Sequence, residues 1–117
     1  MKENIIKDKS FAFALRIIKM YRFLCENKKE FVLSKQLLRS GTGVGALIRE
    51  AEHAESKADF IHKIAIAQKE ANEAEYWIEL LFRSEYIDEN AYQSVISDAQ
   101  EIQKIISSII ITSKRNR

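Results

Sequence analysis

Proline is absent from this chain of 117 residues, and its three glycines all lie between Gly41 and Gly45. A β-rich domain needs turn residues every ~8–12 positions, which this chain lacks. Helix is the reading that remains. Cys25 is the sole cysteine, so no internal disulfide can form. No uncharged run approaches the ~18 residues of a membrane span, and the opening residues do not read as a charged-then-apolar leader. The expected setting is the cytoplasm, with no membrane partner.

Apolar residues make up 46% of the chain and charged residues 31%, a globular rather than disordered balance. One domain over residues 1–117 is expected, with short flexible ends at about 1–8 and 113–117. Net charge is only +2, but it is unevenly spread. Residues 1–49 hold eleven Lys/Arg against four Asp/Glu, a net of +7. Residues 50–117 hold eight against thirteen, a net of −5. A polyanion would meet the first half.

The apolar spacing predicts four helices. The first is expected from about Ser10 to Cys25. Phe11, Ala14, Ile18, Tyr21 and Cys25 form one stripe, and Phe13, Ile17, Met20 and Leu24 a second beside it. Lys9, Arg16, Lys19 and Arg22 occupy the rest of the circumference. The second helix is expected from about Glu30 to Ala54, with Leu33, Leu37, Ser40, Val44, Leu47, Ala51 and Ala54 inward and Lys35, Arg39, Thr42 and Arg49 outward. Ser56 with Asp59 reads as the cap of the third helix. Its seam is Phe60, Ile64, Ala67, Ala71, Ala74, Ile78 and Leu81, with Trp77 and Leu80 on a secondary stripe. Asp88 reads as the cap of the fourth, whose seam runs through Tyr92, Val95, Ala99, Ile102, Ile106 and Ile109. Lys114 to Arg117 form a frayed tail. Short links between four such helices make an all-α, antiparallel up-down-up-down bundle. The extra apolar stripes exceed what one bundle needs, which points to a homo-oligomer, with Phe13, Ile17, Trp77 and Leu80 as interface residues. Unusually wide buried faces would account for the same stripes.

Gly41-Thr42-Gly43-Val44-Gly45 is a poor phosphate loop. No strand precedes it and no Gly-Lys-Ser/Thr follows. Each glycine inside a helix costs up to ~1 kcal/mol relative to alanine. If helices two and three pair across Glu55, Gly41 stands opposite Ala71 and Gly45 opposite Ala67, so small residues let two backbones approach.

Glu50-x-x-His53 and Asp59-x-x-His62 have the carboxylate-x-x-His spacing of di-iron bundles. They fall beside a turn, however, and helices one and four supply no core carboxylates. A solvated end with Glu50 facing His62 is the simpler reading, and no metal or cofactor is expected. Cys25 has no histidine near it in sequence, so no catalytic residue is assigned. The basic positions Arg16, Lys19, Arg22, Lys35, Arg39 and Arg49 could together hold phosphates. The same positions could instead serve solubility, with Arg39 paired to Glu73. No aromatic platform for base stacking is evident among them.

From the second helix onward the chain resembles a known family. The residues that carry the likeness are Leu38-Arg39-Ser40-Gly41-Thr42-Gly43-Val44-Gly45-Ala46, Ile48-Arg49-Glu50-Ala51, Ser56-Lys57-Ala58-Asp59-Phe60, Ile66-Ala67-Gln68-Lys69-Glu70-Ala71-Asn72-Glu73 and Tyr76-Trp77-Ile78-Glu79-Leu80-Leu81. In that order they resemble the 23S rRNA intervening-sequence proteins, bacterial four-helix bundles similar to the accessory variability determinants of diversity-generating retroelements. The resemblance implies a homopentameric barrel without catalytic activity. It also implies partners: RNA or DNA, and a reverse transcriptase or other nucleic-acid enzyme. Arg39, Glu50 and Glu73 match the family pattern. Gly43 and Leu47 stand where the family often has Ser and Asn, which implies a drier helix interface.

Overall fold

The structure, a computed structural model, describes residues 2–116. Met1 and Arg117, the last residue of the expected tail, lie outside them. Four helices follow one another: α1 Lys2–Lys28, α2 Leu33–Glu52, α3 Lys57–Arg83 and α4 Glu89–Arg115. They pack in a ring in which α1 touches α2 and α4, and α3 touches α2 and α4. A helix of 27 residues is about 40 Å long at 1.5 Å per residue, which accounts for the 48 × 21 × 19 Å envelope.

The caps of α3 and α4 stand where the sequence places them. Ser56 accepts from the Asp59 amide, and Asp88 accepts from the Ala91 amide. The seams of these two helices are also as expected. Ile64, Ala67, Ala71, Ala74, Ile78 and Leu81 are buried along α3, and Val95, Ala99, Ile102, Ile106 and Ile109 along α4. Phe60 and Tyr92 open these seams half-buried.

The first helix differs in extent and in rotation. It begins at Lys2 rather than near Ser10. Ser10 is buried inside it, with its hydroxyl satisfied by the Lys7 carbonyl at 3.2 Å. The core seam is therefore Ile6, Ser10, Phe13, Ile17 and Leu24. Phe13 and Ile17, expected at a subunit interface, are 1% and 0% exposed and belong to the monomer core. Phe11, expected on the inward stripe, is 51% exposed. Both stripes are apolar, and packing against α2 and α4 turns the one through Phe13 and Ile17 inward.

Gly41 shows how that choice is enforced. A Cβ built there would lie 2.8 Å from Ile17 Cγ1 and 2.9 Å from its Cγ2. A Cβ built on Gly45 would stand 3.5 Å from the Ser10 carbonyl oxygen, an ordinary contact. Both glycines face α1, not Ala71 and Ala67 of α3. The expected α2–α3 register itself holds: Arg39 meets Glu73, and Glu50 meets Lys63 at 3.1 Å rather than His62. The glycine on the α3 side is Gly43, whose Cβ would stand 3.0 Å from Glu70 Oε2. Because α2 packs between two helices it buries two rows, Ser34, Gly41 and Ile48 beside Leu37, Val44 and Ala51.

The α1–α2 turn is held by Glu30. This residue is 8% exposed. Its carboxylate accepts from the amides of Val32, Leu33 and Ser34 at 3.1, 3.0 and 2.7 Å, and so closes the N-terminus of α2. Burial alone would raise its pKa, but the three amides outweigh it and hold the carboxyl below its ordinary value of 4.5.

Two predictions follow from this packing. Gly41→Ala should lower stability in urea denaturation by about 1–2 kcal/mol, because β-branched Ile17 is buried and cannot withdraw. Gly43→Ala meets only a carboxylate tip and should be neutral or stabilising by up to ~1 kcal/mol. Equal effects at the two positions would contradict the α1 contact. Glu30 gives a pH signature. Its folded pKa is depressed, so its contribution is present above about 4.5 and is lost as pH falls through the lower folded value. Glu30→Ala should cost about 1–3 kcal/mol at neutral pH, and its midpoint should depend less on pH in the acid limb than that of the parent.

Candidate nucleic-acid interface

The six basic positions do not form one uniform surface. On α1, Arg16 is built into the bundle. Its Nη1 lies 2.7 Å from Asp98 Oδ2 and 3.3 Å from the Ser94 carbonyl, and its Nη2 lies 2.8 Å from Ser94 Oγ. These bonds tie α1 to α4. Lys19 and Arg22, one turn or so further along, are exposed and make no ion pair among the described residues. The spacing of Arg16 and Lys19 on one side and Arg22 on the other explains the difference, since only Arg16 turns fully toward α4.

On α2, Lys35 is exposed and unpaired. Arg39 bridges to Glu70 at 3.2 Å and to Glu73. Glu73 also accepts from Trp77 Nε1 at 3.2 Å. Arg39, Glu70, Glu73 and Trp77 thus form one polar chain across the α2–α3 surface. Trp77 is half-buried against its own core, with Tyr76 edge-on at 5.0 Å. Leu80 is half-buried as well. Arg49 sits over the ring of Phe11 at 5.4 Å, a cation–π contact that leaves the guanidinium edge open to water.

The structure therefore leaves Lys19, Arg22, Lys35 and Arg49 exposed on α1 and α2, with Lys19 on the α4 side of α1 and Arg49 over Phe11, and assigns Arg16 and Arg39 to braces between helices. It also turns Phe11, expected on an inward stripe, outward, and exposes Leu15, which belongs to neither expected stripe. Phe11 and Leu15 are 51% and 52% exposed, and half-buried Ile18 continues their line at helical spacing. An α1 seam starting at Ile6 and running through Ser10 would have found them, but a serine on a seam gives no apolar signal.

Metal and nucleophile positions remain apart. Among the described residues no group of three or more His, Cys, Asp or Glu side chains could hold a metal ion. Cys25 is half-buried, with Sγ 4.0 Å from Ser34 Oγ. A shallow groove of about 600 Å³ between α3 and α4 is lined by amides and amines such as Gln68, Lys69, Asn72, Gln103 and Lys104. No helix of the described residues is long and apolar enough to cross a membrane.

Comparison with known proteins decides the kinship. The family model of the 23S rRNA-intervening sequence protein matches residues 2–108. The chain belongs to this family. It is also similar to a crystal structure from Bacteroides thetaiotaomicron, described as a protein of unknown function from the S23 ribosomal protein family. That likeness has a TM-score of 0.93 and 60% identity, and covers 94% of this chain and 98% of the other. No curated protein matches the sequence. The four-helix bundle is thus the family's fold, and the family's function is unknown.

The division of the cations is testable by stability. Arg16→Ala should cost about 1 kcal/mol in thermal or urea unfolding, since it removes contacts to both Asp98 and Ser94. Lys19→Ala should stay within ~0.5 kcal/mol of the parent. A larger loss at Lys19 than at Arg16 would reverse the assignment.

Proposed function

We propose that the protein is a non-catalytic, homo-oligomeric binding module that holds structured RNA, alone or within an RNA–protein complex, on the basic side of α1 and α2. The observation that carries this reading is the division of its cations. Lys19, Arg22 and Lys35 stand outside every ion pair of the described residues, while the chain from residue 50 onward carries a net of −5. Unpaired cations on two neighbouring helices attract a polyanion, and phosphate contacts dominate such affinity. Binding of this kind is electrostatic and weakens linearly with the logarithm of salt. The setting is the cytoplasm.

Self-association is the second part of the proposal. The outward line of Phe11, Leu15 and Ile18 is a contiguous apolar surface with Arg49 at its edge. Apolar surface of this kind marks a contact between proteins. Homopentamer is the order that the resemblance favours, and repetition of the basic face around a ring multiplies its charge. The same apolar line favours a second reading, a scaffold that binds protein only.

Fluorescence anisotropy with a labelled structured RNA, at low and physiological salt, separates the two. The triple reversal of Lys19, Arg22 and Lys35 to Glu should abolish binding while helicity and melting stay close to the parent. Arg16 is left intact in this variant because it braces the fold. Absence of binding by the parent even at low salt would remove the RNA reading and leave the scaffold. Light scattering tests assembly: Phe11→Ser with Leu15→Ser should reduce the mass to that of a smaller species, and an unchanged oligomer would place the interface elsewhere.

A further inference from the structure

Near the α1–α2 and α3–α4 turns, Arg16, Lys19, Met20 and Phe23 share one face of α1 by their i, i+3, i+4, i+7 spacing. They line a cavity of about 380 Å³ together with Ile87, Asp88, Ala91 and Val95. A second cavity of about 400 Å³ adjoins it and shares Phe23, Ile87 and Asp88. It adds Lys28, Phe82 and Tyr86. Phe23 is the element common to both, and it is 42% exposed. Lys28 Nζ stands 6.0 Å from its ring centroid, and Lys19 is four residues before it on the same helix face. A part-exposed phenyl ring thus lies near Lys19, with the Lys28 ammonium over one face, in a trough lined by both apolar and charged side chains.

We propose that this trough is a stacking site for an unpaired base of single-stranded RNA, with Phe23 as the platform, Lys19 as one phosphate contact, and Lys28 moving off the ring face to meet the adjoining phosphate. The inference rests on the nucleic-acid reading above and deepens it by naming the strand form. An exposed aromatic flanked by lysines offers what a splayed nucleotide requires, a π-face for the base and cations for the adjoining phosphates. The floor is held firm from behind. Phe82 stacks on Tyr92 at 4.3 Å, and Arg16 is fixed by Asp98 and Ser94, so the walls are set before any ligand arrives. Two carboxylates also line the trough. Asp88 is engaged as the α4 cap with the Ala91 amide at 2.8 Å. Glu85 is exposed and opposes phosphate, so the site favours one or two nucleotides rather than a long track.

A duplex keeps its bases stacked on one another and cannot use Phe23. Anisotropy titrations at low salt with a labelled single-stranded RNA and a blunt-ended, loop-free duplex of equal length therefore test the site. In Phe23→Ala, affinity for the single strand should fall about 5- to 100-fold, with the duplex changed less than 2-fold. Phe23→Trp should retain single-strand affinity, whereas Phe23→Leu, which keeps apolar bulk without a π-face, should lose it. Glu85→Gln should tighten single-strand binding. Equal loss for both RNA forms, or full affinity in Phe23→Leu, overturns the stacking site and leaves the wider basic surface standing. Failure of the parent protein to bind either form overturns the nucleic-acid reading itself. Capture of an acidic amphipathic peptide by the parent, with no preference for single-stranded RNA, would reassign the trough to a protein partner.

Discussion

The contact of Gly41 with Ile17 sets the bundle. A helix interior tolerates glycine at a cost of up to ~1 kcal/mol, and this chain has three within five residues of α2. The cost is offset by proximity. Without a side chain at Gly41, the Ile17 side chain lies directly against the α2 backbone, whereas Gly45 faces the Ser10 backbone with room for a Cβ. That approach places Ile6, Ser10, Phe13, Ile17 and Leu24 inside. It fixes the rotation of α1 about its own axis, and everything on the outer face of α1 follows from that rotation.

The consequence for function is direct. Rotation toward α2 puts Arg16 against Asp98 and Ser94, and leaves Lys19 and Arg22 in solvent. It also carries Phe11 and Leu15 outward and seats Arg49 above the Phe11 ring. A different rotation would have buried the Phe11 stripe and exposed Phe13 and Ile17. The surface available to a polyanion or to another subunit is therefore a by-product of core packing on the opposite side of the same helix.

Charge in this molecule does two kinds of work. Arg39, Glu70, Glu73 and Trp77 form a brace across α2 and α3, and Arg16 forms one across α1 and α4. Such exposed pairs contribute modestly to stability, but they orient neighbouring helices and withdraw those arginines from solvent-facing roles. The cations without partners are the ones on which a functional reading can rest. Counting Lys and Arg along the chain does not separate the two groups, because pairing depends on which helix lies opposite.

Much of the fold was legible in the residues themselves. The absence of proline and the confinement of glycine to one segment required helices. The seams of α3 and α4, the caps Ser56 and Asp88, and the pairing of Arg39 with Glu73 follow from helical period and antiparallel register, which are local rules. What only the tertiary structure decided is the orientation of α1, the partner of Gly41 and the exposure of Phe11, Leu15 and Phe23. Two adjacent apolar stripes do not by themselves say which packs against which helix, and a seam that includes Ser10 looks broken in one dimension. The free energy that separates them comes from contact with α2 and α4, and that information resides in the packed molecule.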